Sequence, residues 1–349
     1  MKDKASNRVE WIDFAKGITI LLTIVGHTVM YNKGGCMARG IIFSFHMPLF
    51  FILSMVTFKC SDNIDIFKYK TKNAARHLLM PALITYLLTV CISLIRNPVS
   101  LDGNFWRGKL YTLIFASGVE TTYYDQYVPL IGIQWFFFAL FIGRTIFDYV
   151  HLNNNDDVKD ANNLLIITVI LGLLGIIAGQ MAYLPFSLDI ALAIMPFFYF
   201  GYKLKKIDVL HAPLKKMLIA FGVWAVSLYI LFPNIGNRTY MELAVRRYPM
   251  FPLCYICAIA GTMFVSELSV FGCKVPILSR CMQFIGKNSL WMLCVHIMDG
   301  YFSQYWSVVD NQTKTSARRI MADVIVFLMV MLVRTILIEI KTKIIRIKK

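Results

Sequence analysis

Apolar residues along this chain come in long runs separated by short polar stretches, and the runs have the length of bilayer-crossing helices. A hydrocarbon core about 30 Å thick takes roughly 17 to 25 mainly apolar residues per helix. Stretches of that kind lie at residues 12–31, 40–58, 78–95, 133–150, 164–183, 186–202, 217–232, 250–267, 285–305 and 320–340. The pattern predicts an all-α integral membrane protein, a bundle of about ten transmembrane helices. Residues 106–119 are shorter and interrupted by Gly108 and Gly118, so this segment is expected to lie at the interface or to re-enter it. The first run passes through Val25, Gly26 and His27 without a small-residue cleavage site, so it is expected to stay as a retained span.

Composition sharpens the class. Apolar residues make up 58% of the 349-residue chain and charged residues 16%, far from the balance of a soluble domain. Once the runs are placed, little chain remains for loops, and a single polytopic membrane domain over residues 1–349, with no soluble domain, is expected. The net charge of +16 could point to nucleic acid. Lysines and arginines held in cytoplasmic loops produce the same excess, so no nucleic-acid partner is expected.

With the amino terminus inside, the larger part of the 36 Lys and Arg residues falls in cytoplasmic segments. They cluster at Lys68, Lys70, Lys72 and Arg76, at Lys203, Lys205 and Lys206, and in the tail from Lys341 to Lys349. Both termini are therefore expected in the cytosol. Residues 151–163, with Asn153, Asn154, Asn155, Asp156 and Asp157, read as a polar connector, and no internal repeat is visible. Eight cysteines include the pair Cys254 and Cys257, but the pair sits in an apolar run with no second pair and no nearby histidine. It reads as small hydrophobes and not as a metal site.

Ionisable groups at membrane depth are costly and mark candidate sites. They are His27, His46, Arg144, Asp189, His296, Asp299, Asp323 and Arg334. Arg334, Asp323 and Asp189 lie near span ends, where the structural reading is to reach toward solvent. The first run is richer. Lys16 and His27 are eleven residues apart, about three turns and roughly 16 Å of helical rise, and Asp13 lies within about 40° of the same line. One face thus carries a carboxylate, a cation and an imidazole. His27 and His46 each lie about six residues from the external turn 32–39, so both sit at similar depth. His296 falls in mid-span, whereas His77, His151 and His211 fall in loops.

Several blocks carry a resemblance. Trp11-Ile12-Asp13-Phe14-Ala15-Lys16-Gly17-Ile18, then Gly26-His27, then Phe45-His46-Met47-Pro48-Leu49-Phe50-Phe51-Ile52-Leu53-Ser54 resemble the start of the membrane-bound acyltransferase family 3 proteins. Arg76 before Pro81, Trp135-Phe136-Phe137, Phe197-Phe198-Tyr199-Phe200-Gly201, and Ile285-Gly286-Lys287-Asn288-Ser289-Leu290 leading to His296 agree with it. The resemblance implies a multi-pass enzyme of the bacterial plasma (inner) membrane. It would transfer an acyl group, commonly acetyl from acetyl-CoA, to a hydroxyl of a surface polysaccharide or glycolipid sugar. Acyl-CoA, a surface carbohydrate or lipid-linked sugar, and the lipid bilayer are its implied partners, with no metal.

The family's basic residue and essential histidine map onto Lys16 and His27. Many members have arginine where this chain has lysine, which keeps the charge but not bidentate phosphate recognition. The family's basic pair after the second span maps well onto Arg76 and approximately onto Lys72. Acyl transfer to an alcohol needs a base and donors for the oxyanion. His27 fits the base, or the nucleophile of an acyl-imidazole. Asp13 is the second catalytic candidate and alternatively pairs with Lys16 at i, i+3. Lys16, Lys72 and Arg76 are the expected cofactor-binding set, and His46, Ser44, Trp135, Asn288 and His296 the expected substrate-binding set, with Gln134 and Ser289 as further oxyanion or sugar ligands. A transporter or flippase is the alternative, which would show broken helices in paired halves.

Overall fold

The structure, a computed structural model, describes residues 9–28, 33–96, 103–123, 125–154, 158–205, 213–232, 240–302 and 312–347. His211, Lys206, Lys348 and Lys349 lie outside these residues. The described chain is mostly helical. Its first half comprises α1 (Glu10–Thr28), α2 (Lys33–Phe43), α3 (His46–Val56), α4 (Ile64–Arg96), α5 (Gly103–Phe115), α6 (Trp135–Leu152) and α7 (Val158–Met181). The second half comprises α8 (Leu188–Ala193), α9 (Met195–Leu204), α10 (Pro213–Leu231), α11 (Leu253–Gly272), α12 (Pro276–Lys287), α13 (Ser289–Phe302) and α14 (Gln312–Ile347). A short antiparallel hairpin, β1 (Thr121–Tyr123) and β2 (Gln126–Val128), follows α5.

Seven helical stretches are long and apolar enough to cross a bilayer, and α8 with α9 makes an eighth if the bent pair counts as one span. The expected count of about ten is not reached by that measure, for physical reasons that differ from run to run. In α1 the polar Asp13, Lys16 and His27 dilute the apolar stripe. The run 285–305 breaks at Asn288, which caps α12, so α13 has 14 described residues and rises only about 21 Å. The run 186–202 bends by 53° between α8 and α9, beside Pro196. Helix α5, at 13 residues, is too short to cross, in keeping with its interfacial reading.

The run 40–58 counts among the seven, as Met37–Val56, but has an internal break. Pro48 has no amide hydrogen and crowds the carbonyl of Ser44, so α2 ends at Phe43 and α3 begins at His46. The break puts an imidazole at the first position of a helix. The His46 ring nitrogen Nδ1 lies 3.2 Å from the Ile42 carbonyl oxygen.

Helix α1 packs against α2, α3, α11, α12, α13 and α14, which makes it the post around which the functional part of the bundle is built. Its closest approach is to α12. A methyl group at Gly17 would overlap the Met282 carbonyl oxygen, and one at Gly286 would overlap the Asp13 carbonyl oxygen. On the far side of α3, Phe51 meets Trp135, Phe136 and Phe198 in an aromatic core that fixes α3 against α6 and α9. Asp189 is not at a solvent-facing end. It is fully buried and its Oδ2 accepts from Arg246 Nε at 2.6 Å, so the charge is neutralised inside the fold.

Candidate functional site

One stripe of α1 faces two neighbouring cavities. Asp13, Lys16, Ile20 and Thr23 line a cavity of about 240 Å³, and His27 lines a second of about 50 Å³. Their spacing of three, four, three and four residues is the spacing of a single helix face. Met47 from α3 and Ile133 from the turn before α6 belong to the walls of both cavities. The two cavities therefore follow one another along α1, one beside the cation and one beside the imidazole, with two apolar side chains common to their walls.

The Lys16 end is cationic. Besides Lys16, its cavity is lined by Arg144, Lys287 and Ser289. Arg144 and Thr57 are shared with a further cavity of about 420 Å³ that Lys59, Lys70 and His77 also line. The Arg144 guanidinium carbon lies 4.5 Å from the centre of the Phe58 ring, and its Nε is buried with no hydrogen-bond partner among the described residues. Asp148, one turn on, has both oxygens engaged by Ser61, each at 2.7 Å. Lys72 and Arg76 are exposed and line neither cavity.

The His27 end is enclosed and aromatic. His27 packs edge-on against Phe43 with ring centres 5.2 Å apart, and Phe43 lies 4.4 Å from the His46 ring. His46, Trp135, Phe43 and Glu242 complete the small cavity. Arg39 braces it: the guanidinium donates to the Gly26 carbonyl at 2.8 Å, to Glu242 at 3.2 Å and to the Tyr240 hydroxyl at 3.1 Å, and lies 4.0 Å over Phe43. Neither Arg39 nor Glu242 stood out in the sequence, because each reads as an ordinary loop charge until the fold brings residues 39 and 242 together.

The other expected ligands have structural partners. Ser44 is buried, donates to the Ile41 carbonyl at 2.7 Å and accepts from the Trp224 indole at 3.0 Å. Asn288 donates to the Phe284 carbonyl at 2.9 Å and accepts from Arg334 at 3.1 Å, so it joins the end of α12 to α14. Gln134 is buried 3.0 Å from Thr85. None of the three lines the two cavities along α1.

His296 lies behind His27, with ring centres 5.6 Å apart. It is one of a buried trio with Asp299 and Asp323 whose potential ligand atoms fall within 4.8 Å of one another. One oxygen of each carboxylate is engaged: Arg319 donates twice to Asp299 Oδ2, at 2.9 and 2.7 Å, and Asp323 Oδ2 lies 2.7 Å from His296 Nδ1. The trio thus takes part in two pairs, Arg319 with Asp299 and His296 with Asp323. Asp323, read from the sequence as a residue near a span end, is 2% exposed. Cys254 and Cys257 are buried free thiols on α11 and assemble no cluster with His, Asp or Glu among the described residues.

The arrangement can hold an elongated anionic molecule by a charged end and present its other end to an imidazole. A family model described as an acyltransferase domain matches residues 9–339. No curated protein and no solved structure matches the chain.

Proposed function

From the premise that this chain belongs to acyltransferase family 3, we propose that it transfers an acyl group, acetyl in the first instance, from acyl-CoA to a hydroxyl of a surface carbohydrate or lipid-linked sugar. The observation that carries the reading is the α1 stripe, with Lys16 beside one cavity and His27 beside the next. The phosphates of the donor bind at the cationic end, held by Lys16, Arg144 and Lys287. Charge-assisted hydrogen bonds to phosphate are the strong ones, and Arg144 supplies the planar donor set that Lys16 lacks. Lys72 and Arg76 stand outside the cavities and act as an outer attractor for the same anion.

The pantetheine arm runs along Ile20 and Thr23 and passes between Met47 and Ile133. Its reach is comparable to the roughly 16 Å of rise from Lys16 to His27, so the thioester arrives at the imidazole. His27 takes the proton of the acceptor hydroxyl as that oxygen attacks the carbonyl carbon. Trp135 and His46 offer the acceptor sugar an apolar ring face and a polar edge. Asp13, about 21 Å of helical rise from His27, belongs with the donor end and orients Lys16 there. A solute path would use the bent pair α8–α9, yet the buried charge of that pair, Asp189, is neutralised by Arg246.

The test is His27→Ala with membrane insertion verified. Acylation of surface glycans, read by mass spectrometry, is expected to disappear at an unchanged protein level. Acylation at the wild-type level would remove His27 from the mechanism.

A further inference from the structure

His27 faces a second imidazole that the reading above does not use. His296 on α13 and Asp323 on α14 are each 2% exposed, and the His296 Nδ1 to Asp323 Oδ2 distance is 2.7 Å. The other ring nitrogen, Nε2, is buried and has no hydrogen-bond partner among the described residues. Buried polar atoms are nearly always paired, so an orphan beside a candidate centre asks for a partner that arrives with the substrate. The His296 and His27 ring centres are 5.6 Å apart.

Helix packing does not account for the pair. One turn from Asp323, Arg319 already ties α14 to α13 through Asp299. The apolar window of α14 is only 17% buried, yet Asp323 is turned fully inward. A carboxylate on one nitrogen of an imidazole sets its tautomer and orientation and leaves the other nitrogen to exchange protons. Acyl transfer from a thioester has two proton movements, one from the attacking hydroxyl and one to the leaving sulfur, and the reading above assigns His27 the first.

We propose that Asp323 and His296 form the second proton-transfer unit of this centre, with His296 giving the leaving sulfur its proton. The inference rests on the acyl-transfer reading. The acceptor oxygen bonds to the thioester carbonyl carbon while its proton passes to His27, and the carbonyl electron pair moves onto oxygen. When that pair returns, the carbon–sulfur bond breaks and its electrons stay on sulfur. The proton on Nε2 of His296 then makes the free thiol, and Asp323 holds the ring throughout. His27 afterwards passes its proton to His296 through a water between the rings, so the hydroxyl proton ends on the thiol and the enzyme is unchanged. His296 is a catalytic residue in this scheme, and Asp323 a positioning residue.

The experiment uses the full chain in membrane vesicles, with acetyl-CoA labelled in its acyl carbon and the vesicle glycans as acceptor. Transfer of label and release of thiol are followed against acetyl-CoA concentration. Asp323→Asn and His296→Gln are expected to lower kcat by about 100-fold or more with KM for acetyl-CoA within about twofold. Asp299→Asn, which removes the charge paired with Arg319 and leaves the His296–Asp323 contact in place, is expected to keep kcat per folded protein, and His296→Gly is expected to regain activity with added imidazole. Wild-type kcat in Asp323→Asn and His296→Gln would overturn the inference, and so would an equal loss in Asp299→Asn, which marks a structural role. Wild-type vesicles that transfer no label from acetyl-CoA would overturn the acyl-transfer reading itself, and the inference with it.

Discussion

A guanidinium in a cavity wall with an unsatisfied nitrogen is costly to keep and well suited to an incoming anion. Arg144 is such a group: its Nε is buried without a hydrogen-bond partner among the described residues, its guanidinium lies over the Phe58 ring, and the nearby Asp148 is occupied by Ser61. Hydrogen bonds to charged groups are each worth about 1.5–3 kcal/mol. Arg144→Ala is therefore expected to raise KM for acetyl-CoA by about 10- to 100-fold with little change in kcat, and Arg144→Lys to fall between, as initial rates in vesicles would show. An unchanged KM would move the donor head elsewhere. The same chemical type does not have the same meaning everywhere. His46 lines the small cavity, whereas Ser44 and Asn288 spend their hydrogen bonds on the backbone and on other helices. A hydroxyl or amide in a sequence does not show which partner is nearer. An isolated charge in an apolar run does show that something must compensate it, which is why Arg144, Asp189 and Asp323 were visible as positions but not as partners.

Between elements, the site depends on how closely α1 and α12 approach. Gly17 and Gly286 lie at that crossing, and the Gly286 position is filled by the Asp13 carbonyl. Small residues of this kind let helix backbones touch in a membrane, where burial of apolar surface gives little net force between helices. Gly286→Ala must push α1 from α12 and widen the cavity that Lys16 and Lys287 share. Overpacking of this sort costs about 1–3 kcal/mol, so a lower melting temperature in detergent and reduced acyl transfer are expected together. Gly222→Ala on α10, where an added methyl meets nothing within 4 Å, is the matching control and is expected to change neither. The breaks at Phe43/His46 and at Asn288 are of the same order of importance. The first lies within a run read as one span, 40–58, and its local cause is Pro48. The second was not readable, since Ile285 to Leu290 looks like the continuous start of an apolar run.

At the scale of the molecule, the cationic cavity and the imidazole cavity lie one after the other along α1. The proposed function, taken with a cytosolic Lys16 as the basic residues lead one to expect, predicts a donor that enters from the cytosol and an acceptor from outside. In sealed vesicles of known orientation, acetyl-CoA is expected to act only from the face that carries Lys16, with label appearing on glycans of the opposite face. Label confined to the acetyl-CoA side would refute this two-sided geometry. The class of the protein, its apolar helices and the single face shared by Asp13, Lys16 and His27 were determined by the sequence alone, because bilayer thickness and helical periodicity act on neighbouring residues. The partners of that face were decided only by the tertiary structure. Arg144, Lys287, Glu242 and the His296–Asp323 pair come from segments far apart in the chain, and their meeting depends on helix packing, on breaks and on close backbone crossings that no local pattern encodes.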